Sequence, residues 1–145
     1  MCYVILLSTT SSRDLSASND EFVRFSNTLP NIPAVAQLNH PMRWYLGSKS
    51  HCSCTFRHAY DSELGFGEPV DWYPEEPDEL EGTLRAIRVI RELVEQGFEV
   101  DCFDAWDGSR ETQAKAGEMI VNLSDVADTE FRFIENHYMT FVYEN

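Results

Sequence analysis

The sequence predicts an α+β fold in which an antiparallel sheet carries two helices on one face, the ferredoxin-like split βαβ topology. Three observations predict it: a continuous apolar run at the N-terminus, a strongly amphipathic helical pattern past the middle of the chain, and β-favouring runs before and after that pattern. The length of 145 residues suits a single domain. We therefore expect a βαββαβ core over residues 1–105 and a C-terminal β extension over residues 106–145.

The first strand and the first helix are predicted near the N-terminus. Residues 2–8 form an unbroken apolar, β-rich run, which is typical of a central strand covered on both faces. Ser18 and Glu21 have the spacing of a capping box, and this predicts a helix over residues 19–28. Pro30 prevents that helix from continuing.

Two more strands are predicted to follow this helix. The second strand, residues 34–46, contains Pro41, which cannot donate to a ladder, so this strand is expected to lie at a sheet edge or to carry a bulge there. In the ferredoxin-like topology the second strand is an edge strand. The polar, glycine-containing residues 47–50 predict a hairpin loop. The third strand then covers residues 51–57.

The second helix has the clearest pattern in the chain. From Leu80 onward, apolar residues recur on one helical face, and charged residues fall on the other. Gly97 followed by Phe98 is the expected left-handed stop with a hydrophobic contact after it. A fourth strand is predicted over residues 98–105.

The C-terminal extension has weaker signals. A helical turn is expected at residues 112–117, and a short strand at residues 118–123. The last residues read as a hairpin that turns near residues 135–137. Whether this extension lengthens the sheet or covers its open face is left open by the sequence.

The charge of the chain limits its partners. The formal net charge is −14, from 25 acidic and 11 basic residues, so nucleic acids and anionic membranes would be repelled. A cationic ligand, a basic protein surface or no partner at all is easier to accommodate with this charge. A second copy of the chain is expected only on other grounds, since the predicted edge strand could pair with it. No apolar run is long enough for a signal peptide or a membrane span, which predicts a cytoplasmic protein whose cysteines are thiols.

A thiol or metal site is one candidate. Cys52 and Cys54 lie close to His51, with His58 and Cys102 as further ligands, and zinc is the metal that such ligands favour. The C-x-C spacing differs from the usual zinc knuckle, and no second cysteine pair exists. Buried core thiols are the alternative interpretation, and an enzyme with a cysteine-based site is a weaker one, for which no catalytic residue is assigned.

The second candidate is the segment of residues 60–81, which is rich in acidic and aromatic residues and has no basic residue. Aromatic faces with carboxylates can bind a cationic ligand or a basic partner. The alternative is that the aromatic side chains fold the segment onto the core while the acids stay solvated. The binding residues predicted here are Tyr60, Phe66, Trp72, Tyr73, Glu75 and Glu76.

A third group consists of Asp101, Asp104, Asp107 and Glu111, around the end of the fourth strand. Paired carboxylates can perform acid-base or metal chemistry. However, Asp101 and Asp104 are predicted to lie on opposite faces of the strand, and Asp107-Gly108 is ordinary turn chemistry. No site is assigned to this group.

The run Gly47-Ser48-Lys49-Ser50-His51-Cys52-Ser53-Cys54 resembles a signature of small uncharacterised bacterial proteins. The resemblance covers this hairpin and implies no function. The residues therefore support one main hypothesis, an acidic binding or regulatory domain that acts through residues 60–81, with the thiol or metal site as the alternative.

Overall fold

A computed structural model describes residues 2–59, 66, 75–107 and 117–144 of the chain. Within these residues it contains one α-helix, α1 (Pro77–Glu95), and two short 3-10 helices at Leu15–Ser18 and Pro33–Gln37. It also contains eight strands: β1 (Cys2–Thr9), β2 (Val23–Ser26), β3 (Met42–Ser48), β4 (His58–Ala59), β5 (Val100–Asp107), β6 (Gly117–Asn122), β7 (Phe133–Ile134) and β8 (His137–Val142).

Six of these strands form one mixed sheet in the order β2-β3-β1-β5-β8-β6. Neighbouring strands are antiparallel except β8 and β6, which are parallel. The short strands β4 and β7 form a separate parallel pair. The fold is therefore α+β with a mainly antiparallel sheet, which confirms the predicted class.

Strand β1 lies inside the sheet between β3 and β5, as its continuous apolar sequence predicts. Ile5 and Leu7 face the core that lies beneath α1. Val4 and Leu6 face a second, smaller core, which is covered by the 3-10 helix Pro33–Gln37. Because both faces of β1 are covered, its apolar residues need no alternation.

Helix α1 is confirmed, and its predicted ending is correct. The buried side chains form one face of the helix, and Ile87, Ile90 and Leu93 are fully buried there. Gly97 has φ of +92°, and its N–H donates to the carbonyl of Val94 while the N–H of Phe98 donates to that of Leu93. This is a Schellman-type cap, for which glycine is the favoured residue.

No helix among the described residues is long and apolar enough to cross a membrane.

The ferredoxin-like arrangement with two helices is wrong, because the predicted helix at residues 19–28 contains strand β2 instead. Its residues alternate between buried and exposed with the period of a strand, and β2 pairs with β3. The Asn19 side chain accepts from the N–H of Phe25 at 2.6 Å and donates to its carbonyl at 3.1 Å. Asn19 thus bonds to the strand, which the capping-box interpretation did not anticipate.

Two predictions about the next region are also wrong. Strand β3 is not an edge strand, because β2 covers it, and Pro41 lies just before its first residue. Residues 51–57 form turns and bends instead of a third strand, and only His58 and Ala59 are extended. His51 has φ of +74°, a left-handed conformation that interrupts any strand at this point.

The C-terminal residues extend the sheet, since β8 pairs with β5 and β6 pairs with β8. The strand predicted at residues 118–123 is confirmed as β6. The chain does turn at Glu135 and Asn136, but β7 and β8 belong to different sheets, so the predicted hairpin is wrong. Most of the predicted helical turn at residues 112–117 lies outside the described residues.

Candidate cation-binding site at the Asp104 end of the sheet

The turns between β3 and β4 are fixed to the sheet by Ser53. Its N–H donates to the carbonyl of Tyr3, while its hydroxyl accepts from the N–H of Ile5 at 2.8 Å and donates to the carbonyl of Leu46 at 2.5 Å. Cys54 adds a contact, because its Sγ accepts from the N–H of Tyr3 at 3.3 Å. These bonds hold the turns against β1 and bring His58 over the same face of the sheet as α1.

His58 makes a buried pair with Asp104, which lies on β5. The His58 Nδ1 is 2.5 Å from the Asp104 Oδ2, and its Nε2 is 2.7 Å from the carbonyl oxygen of Ser53. The Tyr3 ring stacks on the imidazole, with the ring centroids 3.7 Å apart. Because both ring nitrogens face acceptors, the arrangement suits an imidazolium ion opposite a carboxylate.

Burial and charge act against each other on this pair. Burial lowers the pKa of His58, but the Asp104 carboxylate and the Ser53 carbonyl outweigh it, and the pKa is raised overall. Burial also raises the pKa of Asp104, and His58 opposes this shift only in part. The second oxygen of Asp104, Oδ1, is buried and has no hydrogen-bond partner in the described part of the chain. Such an atom is costly to bury and could accept from a bound cation.

Two further carboxylates lie near this pair. Glu79 belongs to the first turns of α1, and Glu135 follows β7, where it forms an isolated bridge with Asp104. Burial, and then the charges of Glu75 and Glu76, raise the pKa of Glu79. Burial, and then the charge of Asp104, raise the pKa of Glu135. Neither side chain has a lysine or arginine partner among the described residues.

Glu75 lies in a buried ion-pair network close to these groups. Its carboxylate accepts a hydrogen bond from Nε of Arg57 at 2.6 Å and another from Nε of Arg132 at 2.8 Å. The Glu75 side chain is only 3% exposed. Arg57 also donates to the carbonyl of Thr129 at 2.6 Å. This network fixes β4 and β7 to the segment that leads into α1. It also neutralises Glu75, so this residue contributes less to an external partner than its exposed neighbour Glu76.

The described groups at this end of the sheet have more negative than positive charges. Three cations, Arg57, His58 and Arg132, face five carboxylates. The carboxylates are Glu75, Glu76, Glu79, Asp104 and Glu135. We call this set the Asp104 cluster. Its unmatched carboxylates favour the uptake of a proton or of a cation.

The predicted binding residues of the 60–81 segment are described only in part. Phe66 packs against the ring of Phe131, with the centroids 5.4 Å apart, so this aromatic side chain contacts the core. Glu76 is exposed just before α1. Tyr60, Trp72 and Tyr73 lie outside the described residues.

The predicted thiol or metal residues lie in the turns, where alternation along a strand no longer separates them. His51 is exposed, while Cys52 and Cys54 are half-buried thiols. Cys102 is fully buried on β5, where burial raises the pKa of its thiol. No three His, Cys, Asp or Glu side chains of the described part of the chain are grouped so as to hold a metal ion.

The carboxylates of β5 separate between the two faces, as predicted. Asp101 lies on the face opposite Asp104, where it accepts from the hydroxyls of Ser8 and Tyr138 and from the N–H of Asn39. Asp107 belongs to β5 instead of a turn, and Glu111 lies outside the described residues. Asp101 is therefore a structural acceptor.

The sequence did not single out the pairing of His58 with Asp104. The two residues are 46 positions apart, and they meet only through the path of the turns between β3 and β4. One signal was present: Asp104 is a carboxylate within an apolar strand, and such a residue normally requires a buried partner.

No family model matches the sequence, and no curated protein or solved structure is significantly similar to it.

Proposed function

We propose that this chain is a small acidic binding or regulatory domain that recognises a basic protein surface or a cationic small ligand. Binding would use the 60–81 segment together with the Asp104 cluster. The observation that carries the proposal is the group of half-buried carboxylates, Glu79 and Glu135, which have no lysine or arginine partner among the described residues.

Electrostatics favours a cation at this position. Two opposite charges about 4 Å apart interact by about 4 kcal/mol at an effective dielectric constant of about 20, and this value rises as water is excluded. Glu79 and Glu135 already bear part of the burial cost, so a ligand cation would gain attraction with little further desolvation of the protein. Tyr60, Trp72 and Tyr73 would add ring faces, each worth about 0.5–2 kcal/mol against a cation.

A titration with defined probes tests this proposal. Spermidine and a lysine-rich peptide are titrated into the protein at constant ionic strength and followed by calorimetry. We expect Glu79→Gln and Glu135→Gln each to weaken binding by about threefold to tenfold, because each removes one attracting charge. Glu95→Gln is the matched control, since Glu95 is an exposed carboxylate at the other end of α1.

Two outcomes would contradict the proposal. If neither probe binds, the cluster does not recognise cations. If Glu95→Gln weakens binding as much as Glu79→Gln does, the attraction comes only from the net charge of the chain. Trp72→Ala tests the aromatic part of the segment in the same titration.

The alternative proposal is thiol or metal chemistry at Cys52 and Cys54, with His51 as a third ligand. It is favoured by the half-exposed position of both thiols in turns. Elemental analysis of protein purified without chelator or affinity metal tests it. Stoichiometric zinc that is lost in both Cys52→Ser and Cys54→Ser would support the alternative, and protein without metal would leave the cationic ligand as the sole proposal.

His58 is a poor general base for an enzyme, because the Ser53 carbonyl and the Asp104 carboxylate occupy its two nitrogens.

A cytoplasmic location, in which the thiols stay reduced, is part of the main proposal. So is a second copy of the chain as a partner, which could pair with one of the edge strands β2 and β6.

A further inference from the structure

Strand β6 lies at one end of the six-stranded sheet, and its outer edge has no neighbour among the described strands. It is six residues long, and it contains no lysine, arginine or proline. Such residues are a common protection of an exposed edge against pairing with another chain. The strand at the other end of the sheet, β2, has four residues, and one of them is the exposed Arg24. The edge of β6 is therefore the less protected of the two.

Ile120, in the middle of β6, is the most exposed large hydrophobic side chain of the described residues. It is 73% exposed, whereas Leu80, the next in order, is 39% exposed. Ile120 pairs with Thr140, which in turn pairs with Asp101, so the Ile120 side chain lies on the face of the sheet opposite α1. Most of this side chain is therefore open to another molecule.

The main chain of β6 at Ile120 also points outward. The N–H of Leu123 donates to the carbonyl of Val142 at 2.8 Å. Because alternate residues of a strand bond to its neighbour in a parallel ladder, this bond directs residues 119, 121 and 123 toward β8. The N–H and carbonyl of Ile120 therefore point away from β8, toward the open edge.

A second copy of β6 matches this edge when it runs antiparallel and Ile120 lies opposite Ile120. The two-fold axis then places Met119 opposite Val121, and Glu118 opposite Asn122. Apolar side chains meet on both faces of the sheet, and the one carboxylate of the strand meets an amide. An axis one residue earlier or later would place Ile120 opposite Glu118 or Asn122. The side chains of the strand thus favour one register.

We infer that the chain forms a weak dimer by antiparallel pairing of β6 with β6 of a second copy, centred on Ile120. The two sheets form one continuous sheet, and both α1 helices lie on the same face, because Met119 and Val121 both pack on the α1 side. This pairing rests on the part of the proposed function that names a second copy as a partner, and it does not require cation binding. The net charge of −14 opposes association, so the dimer depends on salt.

Sedimentation equilibrium of the full chain, at about 10 to 500 μM protein, tests the pairing. We expect a dissociation constant within this range that falls at least about threefold from 50 to 500 mM NaCl, because salt screens the repulsion. Ile120→Lys should raise the constant about tenfold or more, since two lysines would lie opposite each other. Leu80→Lys, the same change of charge at an exposed residue of α1, should not weaken the dimer.

A cysteine at position 120 tests the register. Residues that exchange both hydrogen bonds in an antiparallel pair have Cα atoms about 5.5 Å apart, which suits a disulfide. With oxidised glutathione as the oxidant, Ile120→Cys should give a covalent dimer, and mass spectrometry should find the bond between the two introduced cysteines. The unchanged chain, with its four cysteines, and Arg24→Cys at the β2 edge are the controls, and both should remain monomers on a non-reducing gel.

Three results would overturn the pairing. One is a monomer at about 500 μM protein in 500 mM NaCl. Another is a dimer of Ile120→Lys as strong as that of the unchanged chain. The third is a covalent dimer of Arg24→Cys but not of Ile120→Cys, which would assign the contact to β2. A monomer that binds spermidine would overturn the pairing and leave the cation site intact, whereas a dimer without spermidine binding would support the pairing and contradict the cation site.

Discussion

Asp104→Asn is the most informative single change, because it removes the charge that keeps His58 protonated in the core. The amide preserves the shape of the side chain but cannot compensate a buried imidazolium. Breaking a buried ion pair by removing one partner costs about 3–5 kcal/mol. We expect the free energy of unfolding at neutral pH to fall by that amount, since both side chains are at most 2% exposed.

The same change should alter the pH dependence of stability. In the native protein the pKa values of His58, Asp104, Glu79 and Glu135 are all raised. The folded state therefore binds more protons than the unfolded state between about pH 5 and pH 8, and the free energy of unfolding falls as the pH rises. Each proton contributes a slope of up to about 1.4 kcal/mol per pH unit.

The direction of each pKa shift decides whether the contribution of that group to stability grows or falls as the pH rises. The stability that His58 contributes is complete below its unfolded pKa and is lost as the pH rises through its folded pKa. The raised pKa values of Glu79 and Glu135 act in the same direction, because ionising these half-buried carboxyl groups as the pH rises costs stability. Asp14 and Asp20 have lowered pKa values, and their contribution is lost only below about pH 4.

In the Asp104→Asn protein, burial still lowers the pKa of His58, and the Ser53 carbonyl and the charge of Glu79 remain to oppose it. The contribution of His58 then shrinks or changes sign, and the slope of stability against pH should become flatter or reverse. Urea unfolding, followed by tryptophan fluorescence at several pH values from about 5 to 8, measures both effects. Glu95→Gln is the control for the loss of one negative charge. A loss below about 1 kcal/mol, or a slope equal to that of the native protein, would refute a charged His58.

Two further predictions concern the framework around the site. Glu75→Gln removes a buried carboxylate that accepts from both Arg57 and Arg132, so urea unfolding should show a loss of about 3–5 kcal/mol. The matched change Glu76→Gln should cost less than about 0.5 kcal/mol, because Glu76 is exposed. Gly97→Ala places a side chain at φ of +92°, where no atom clashes with it, and thermal unfolding should show a loss of about 1 kcal/mol from the backbone conformation alone. An unchanged melting temperature in Gly97→Ala would contradict the left-handed cap.

The sequence predicted the elements whose signals are local. Helix α1 and its glycine cap, and the strands β1 and β5, are defined by apolar patterns and by Gly97 within a few residues of each element. The helix predicted at residues 19–28 was wrong because two signals competed there. The capping-box spacing favoured a helix, whereas the alternation of Val23, Arg24 and Phe25 favoured a strand, and the hydrogen bonds from Asn19 to Phe25 stabilise the strand.

The prediction of a third strand at residues 51–57 was wrong for a related reason. Residues 51–57 are rich in β-favouring side chains, but the hydroxyls of Ser48 and Ser53 bond to main-chain groups and stabilise turns. The Asp104 cluster could not be predicted, because His58 comes from β4 and the carboxylates come from α1 and the residues before it, from β5 and from the turn after β7. Only the three-dimensional path of the chain places them together. The sequence pattern marks only Asp104, as an acid within an apolar strand.

The position of β8 has a consequence for the synthesis of the protein. Among the described strands, β6 pairs with β8 alone, and β8 separates it from β5. During translation β6 therefore lacks this partner until residues 137–142 have left the ribosome, and Val121, which is buried in the folded protein, remains uncovered for that time. Nascent chains stalled before this point would be good substrates for chaperones and proteases, and a shortened chain without β8 would lose two strands of the sheet instead of one.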